Sequence, residues 1–220
     1  MLTKKVKNVL SPALIVIQYL IFMGCCLAYE KQQGLLIRLP EITALNIGKR
    51  ALHDSISLFP VIVLLIITLF KDKTLNNLGI TLKRPLLIIA LFSIYLIMFF
   101  LNGDFSMKGY YSAFFYLIIV AFPEELIFRG YLFSKIEEET GFWIAAIISG
   151  VLFGAAHSLV PAILYDFTLR QLIRSILSNL LGQGILISGV FALLYKKSHT
   201  LFVPVLIHAV LDYSSILFIK

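Results

Sequence analysis

The chain has 220 residues, of which 60% are hydrophobic and 14% charged, with a formal net charge of +7. A soluble domain carries about 25% charged residues, so composition argues against a soluble enzyme or binding module. With a mean hydropathy of +0.94, the chain reads as an integral multi-pass membrane protein, with the cell membrane as its expected location. Its lysines and arginines show no basic stripe interleaved with aromatics, so the positive charge reads as membrane-flanking and no nucleic-acid partner is expected.

A spanning helix needs about 20 mainly apolar residues. Stretches of this kind lie at 10–29, 52–70, 85–102, 111–134, 141–160, 171–195 and 200–218. The predicted fold is therefore all-α, a polytopic bundle of about seven transmembrane helices. The first stretch follows a basic start, "MLTKKVKN". It is long for a signal-peptide core and reads as a retained span. Cys25 and Cys26 are adjacent, lack metal spacing and read as small membrane residues. Residues 30–50 form the longest polar connection, with "IRLPEI" as a short amphipathic piece. "KDKTLNNLGITLKRP" at 71–85 reads as a loop whose closing Pro85 suits the first turn of the next helix. "EEE" at 137–139 reads as a solvated loop, and 161–170 as a short helix or loop between spans. The basic residues are divided almost evenly between alternate loops, with a small bias for the N-terminus inside. We expect one structural domain, with N-terminal helices and loops over 1–84 and a catalytic core over 85–220.

Within this apolar chain, residues 122–131 read "FPEELIFRGY". A charged side chain at mid-membrane costs about 2.5–3.5 kcal/mol. Glu124, Glu125 and Arg129 would together cost on the order of 8–10 kcal/mol unless pairing or function offsets it. Glu125 and Arg129 stand four apart and share a helix face, which predicts a pair. Glu124 is turned about 100° from Glu125, free to point into a cavity. Pro123 lacks a backbone donor and loosens the helix at that point.

Few other ionisable groups lie inside the spans. They are His157 in "VLFGAAHSLV", and His208 and Asp212 in "VLIHAVLDYS". His208 and Asp212 again stand four apart, so the carboxylate is placed to hold the imidazole in one tautomer. His53, Asp54 and His199 read as interfacial polar residues. Measured along ideal helices, Glu124 lies about 17 Å from Lys135, His157 about 24 Å from Gly141, and His208 about 17 Å from Lys197. In a core of about 30 Å these depths agree to within one or two turns. They predict one site assembled from three helices, the alternative being polar pairs that only join helices.

A glutamate and a histidine at one point can deprotonate water and return the proton to a leaving group, and a second histidine can stabilise an oxyanion. No serine or cysteine has a nucleophile context, so hydrolysis by activated water is the expected reaction class. The same residues offer a second reading. Glu124, His157 and His208 match the three-ligand set of a catalytic divalent metal such as zinc, although no HExxH is present. Metal-free and metal-assisted chemistry both stay open on this ground.

Glu124-Glu125-x-x-x-Arg129, Phe153-x-x-x-His157 and His208-x-x-x-Asp212, in this order, resemble the three motifs of the CPBP family. That family contains the type II CAAX prenyl endopeptidases and bacteriocin-processing or immunity membrane proteins. The resemblance covers about residues 85–215, and "EELIFRGYL" is the closest stretch. It implies an intramembrane endopeptidase acting on a membrane-associated, prenylated or leader-type peptide reached from the bilayer. By that resemblance Glu124 and His157 activate water. Glu125, Arg129 and Phe153 brace the site, and His208 and Asp212 form the oxyanion-stabilising pair. The family's last motif commonly ends in Asn. An ionised Asp212 cannot donate to an oxyanion, so it either carries a proton or only orients His208.

Two other classes compete. A non-enzymatic bacteriocin-immunity or peptide-binding protein would protect even without Glu124. An ion or proton carrier would need a polar pathway, for which Asn179 and Gln183 are the best candidates.

Overall fold

The structure, a computed structural model, describes residues 2–218. Met1, Ile219 and Lys220 lie outside the described residues. The described residues form helices without strands: α1 (Leu2–Gln32), α2 (Ile47–Asp72), α3 (Pro85–Asn102), α4 (Met107–Thr140), α5 (Phe142–Leu164), α6 (Leu169–Ser198) and α7 (Phe202–Phe218). Among them, 6 helices are long and apolar enough to cross a membrane, and Phe202–Ile216 is a shorter apolar helix. The chain is thus the polytopic helical membrane protein that its hydropathy predicts. The last apolar stretch, expected over 200–218, is the helix Phe202–Phe218. Leu86, Leu101, Trp143 and many other large apolar side chains are exposed, as lipid-facing surfaces require.

The helices form two compact units, Met1–Leu35 with Ile127–Leu194, and Leu36–Leu126 with Tyr195–Lys220. In the first, α5 packs against a π-helical stretch of α6, Leu180–Ile187. Small residues permit the approach. A Cβ on Gly150 would stand 2.7 Å from the Gly184 carbonyl oxygen, and one on Gly154 would stand 3.0 Å from that of Asn179. This is the small-residue packing that lets membrane helices touch through their backbones. Polar side chains reinforce it. Asn179 Nδ2 donates to Ser158 Oγ at 2.9 Å, and Ser175 Oγ stands 3.1 Å from the same oxygen. Asn179 is thereby a helix-joining residue. Lys31 Nζ, at the end of α1, reaches the Ile163 carbonyl at 2.8 Å and Asp166 at 2.6 Å.

In the second unit, α7 packs on α3 and on the π-helical stretch Phe115–Ala121 of α4. The polar connection expected at 71–85 is a strap, with one 3-10 turn at Asn76–Leu78 and Pro85 opening α3. It is tied to the start of α7. Leu201 N–H donates to the Gly79 carbonyl at 2.7 Å, Thr200 Oγ1 to the Thr81 carbonyl at 2.6 Å, and Thr81 Oγ1 to the His199 carbonyl at 2.9 Å. Gly79 has φ of +75°, and a Cβ there would run into the Tyr195 ring.

A buried polar knot joins α2 to α4. Asp54 Oδ2 accepts from Arg50 Nε at 2.8 Å and from the Tyr111 hydroxyl at 2.6 Å, and the Arg50 guanidinium lies 5.0 Å from the Phe115 ring centre. Asp54 is therefore a buried anchor between α2 and α4.

Candidate active site

The stretch Phe122–Glu125 is one α-helical turn set between two π-helical stretches, Phe115–Ala121 and Leu126–Phe133. Pro123 cannot donate a backbone hydrogen bond, and the Leu126 N–H is shared between the Phe122 and Pro123 carbonyls. Widened turns of this kind re-aim side chains and gather at functional sites. Here they carry two adjacent glutamates with different surroundings. Glu125 is 0% exposed, whereas the Glu124 side chain keeps 30% exposure.

Helix α7 brings an imidazole to this pair. His208 is 5% exposed. Its Nδ1 stands 2.8 Å from Glu125 Oε1. A carboxylate only accepts, so the ring carries its proton on Nδ1 and donates it to Glu125. Its Nε2 then faces Asp212 Oδ2 at 3.4 Å and Glu124 Oε2 at 3.8 Å. Four of the residues singled out in the sequence therefore meet in the second unit. Asp212 sits one turn from His208, as the four-residue spacing predicts. The Glu125 contact was not legible, because the two residues are 83 positions apart on different helices.

The other three lie in the first unit. Arg129 is 0% exposed, with its guanidinium carbon 4.2 Å from the Phe153 ring centre and 5.1 Å from that of Phe191. Stacking between aromatic faces is a favourable way to bury a guanidinium. Phe153 therefore packs against the guanidinium, and Phe191 does so too without any sequence signal to mark it. His157 is half-buried, with its ring centre 4.4 Å from that of Phe153. Its Nδ1 stands 3.0 Å from the Phe153 carbonyl oxygen. That oxygen can only accept, so Nδ1 carries the proton and Nε2 is the basic nitrogen of the neutral ring.

Among the described residues, no group of three or more His, Cys, Asp or Glu side chains is placed to hold a metal ion. One nitrogen of His208 is already committed to Glu125.

Apolar helices of spanning length, with carboxylates and imidazoles buried among them, define a multi-pass membrane protein with an ionisable interior site. Residues 106–214, which include all three motifs, match the family model of the Rce1-like type II CAAX prenyl endopeptidases. The chain belongs to this family of membrane endopeptidases. Comparison with curated proteins and with solved structures gave no match.

Proposed function

We propose that the chain hydrolyses a peptide bond in a membrane-associated peptide by means of water activated at Glu124. The observation that carries this reading is the arrangement around His208, whose Nδ1 is held by Glu125 while Nε2 is turned toward Glu124 and Asp212. The partly exposed Glu124 carboxylate takes one proton from water as the water oxygen bonds to the peptide carbonyl carbon. The carbonyl oxygen becomes an oxyanion, and His208 stabilises it through Nε2–H when the ring carries both protons. Collapse breaks the C–N bond, and the proton held by Glu124 passes to the leaving nitrogen. Asp212 steadies Nε2 as an acceptor, the part that an ionised carboxylate can play.

His157 takes the part of second base in this reading. Its support is its motif position and the basic Nε2 left by the Phe153 carbonyl contact. The family's description points to a prenylated C-terminal peptide as the first substrate to try. The test uses purified protein in detergent with a farnesylated CAAX-type peptide carrying a fluorophore and quencher. Wild type cleaves it. Glu124→Gln, folded and present in equal amount, does not. Equal cleavage by the two proteins would remove the reading.

A further inference from the structure

Helix α7 carries two adjacent stripes. His208 and Asp212, four apart, form the chemical one. Ala209 and Tyr213, also four apart and both 0% exposed, form the packed one. Neighbouring helix positions are related by a fixed rotation of about 100°, so whatever holds Tyr213 also sets the direction of Asp212.

Tyr213 is held from three sides. Buried Asn102, the last residue of α3, points Nδ2 at its hydroxyl, 3.3 Å away. The Tyr95 ring lies 5.4 Å from its ring centre, tilted by 58°. The Tyr116 ring, in the π-helical stretch preceding the glutamates, meets it edge-on at 6.1 Å. Tyr95 is itself fixed, its hydroxyl donating to the Ala113 carbonyl of α4 at 2.6 Å. The clasp therefore references α7 to α3 and to the helix that bears Glu124 and Glu125. The Asp212–Nε2 distance of 3.4 Å is at the long end of hydrogen-bond range. A displacement of about 1 Å removes the interaction.

We propose that Tyr213 is a positioning residue for the His208–Asp212 pair, clasped by Asn102, Tyr95 and Tyr116 so that Asp212 stays on His208 Nε2. The catalytic consequence rests on the function proposed above, whereas the geometric claim does not. The inferred clasp is specific to polar and aromatic groups at these positions. Leucines of similar volume would pack there without fixing the rotation.

The test reads the imidazole directly by nitrogen NMR of the 15N-histidine-labelled protein in detergent, with His208 assigned by His208→Gln. Asp212→Ala defines the shift of the Nε2 signal when its carboxylate is lost. Tyr213→Phe and Asn102→Leu each move the His208 Nε2 signal in that same direction and leave the His157 signal in place. With the farnesylated peptide, both lower kcat by about fivefold to tenfold with KM unchanged, the size expected from one lost buried hydrogen bond. If either variant fails to fold, the other still decides. An unmoved His208 signal in a folded variant overturns the inference. So does a kcat loss matched by a loss of folded protein. A Glu124→Gln protein that still cleaves, beside a His208 signal that moves, would instead overturn the proposed function and leave the clasp standing.

Discussion

The Nδ1 of His208 stands 2.8 Å from Oε1 of Glu125, a side chain with 0% exposure. That contact ties α7 to α4 and turns the other imidazole nitrogen toward Glu124. A charge-assisted hydrogen bond in such a setting is worth more than a neutral one. It leaves no freedom in which ring nitrogen faces Glu124 and Asp212.

Glu125→Gln keeps an acceptor for Nδ1–H but loses the charge. Stability should fall by about 1–2 kcal/mol. If the looser ring costs about 2 kcal/mol of transition-state alignment, kcat falls roughly 30-fold. Glu125→Leu should be worse on both counts, because it leaves Nδ1–H buried without an acceptor. Thermal melts in detergent and peptide cleavage read the two effects separately.

The strap tied to the start of α7 can be broken at one atom. Gly79→Ala places a methyl group against the Tyr195 ring at a φ of +75°. The loss should exceed about 1 kcal/mol, since alanine is strained at positive φ. Gly79→Ala with Tyr195→Ala relieves the collision and not the φ strain, so recovery should be partial. An unaltered melt for Gly79→Ala would contradict the account of the strap.

The knot on α2 offers a deeper cut. Asp54→Leu removes the shared acceptor of Arg50 and Tyr111 and leaves the guanidinium with the Ile37 carbonyl but no carboxylate. The expected cost is about 3 kcal/mol. Arg50→Leu together with Asp54→Leu should recover much of it, because no uncompensated charge then remains.

Asp104, in the short connection before α4, carries a pH signature. Its carboxyl is held below the ordinary carboxylate range, first by the Ser106 hydroxyl and then by the Ser106 backbone and Lys108. A depressed folded value means that this stabilisation is present above the unfolded value of about 3.9 and is lost as pH falls through the folded one. Wild type should therefore melt slightly above Asp104→Asn at pH 7, and the gap should close as pH falls through the depressed folded value.

Much of the fold was legible because hydropathy alone decides whether a segment crosses a bilayer. The loop ending at Pro85 follows from composition, whereas α2 runs over Ile47–Asp72, beyond the apolar stretch 52–70 that composition marks. The last apolar stretch reads as a helix by composition, but the tie of its start to the strap carries no sequence signal. Cross-chain ties of that kind leave no local trace.

The site was legible where its contacts are local. Asp212 meets His208 because four residues make one turn. Glu125 was read as the partner of Arg129 by the same spacing rule, and its contact with His208 could not be read because no periodicity links residues on different helices. The π-helical stretches beside Pro123 also escaped notice. A missing donor signals that the helix must adjust, without saying whether it kinks or widens. Phe191 shows no motif at all, since any large aromatic in an apolar span looks alike until a guanidinium lies over it.

The central claim is that Glu124 activates water to cleave a membrane peptide. The most direct measurement compares the peptides of membranes containing active protein with those containing equal amounts of folded Glu124→Gln. The account predicts a set of cleaved termini found only with the active protein, and their uncleaved precursors accumulating with Glu124→Gln. Identical termini in the two samples would contradict it.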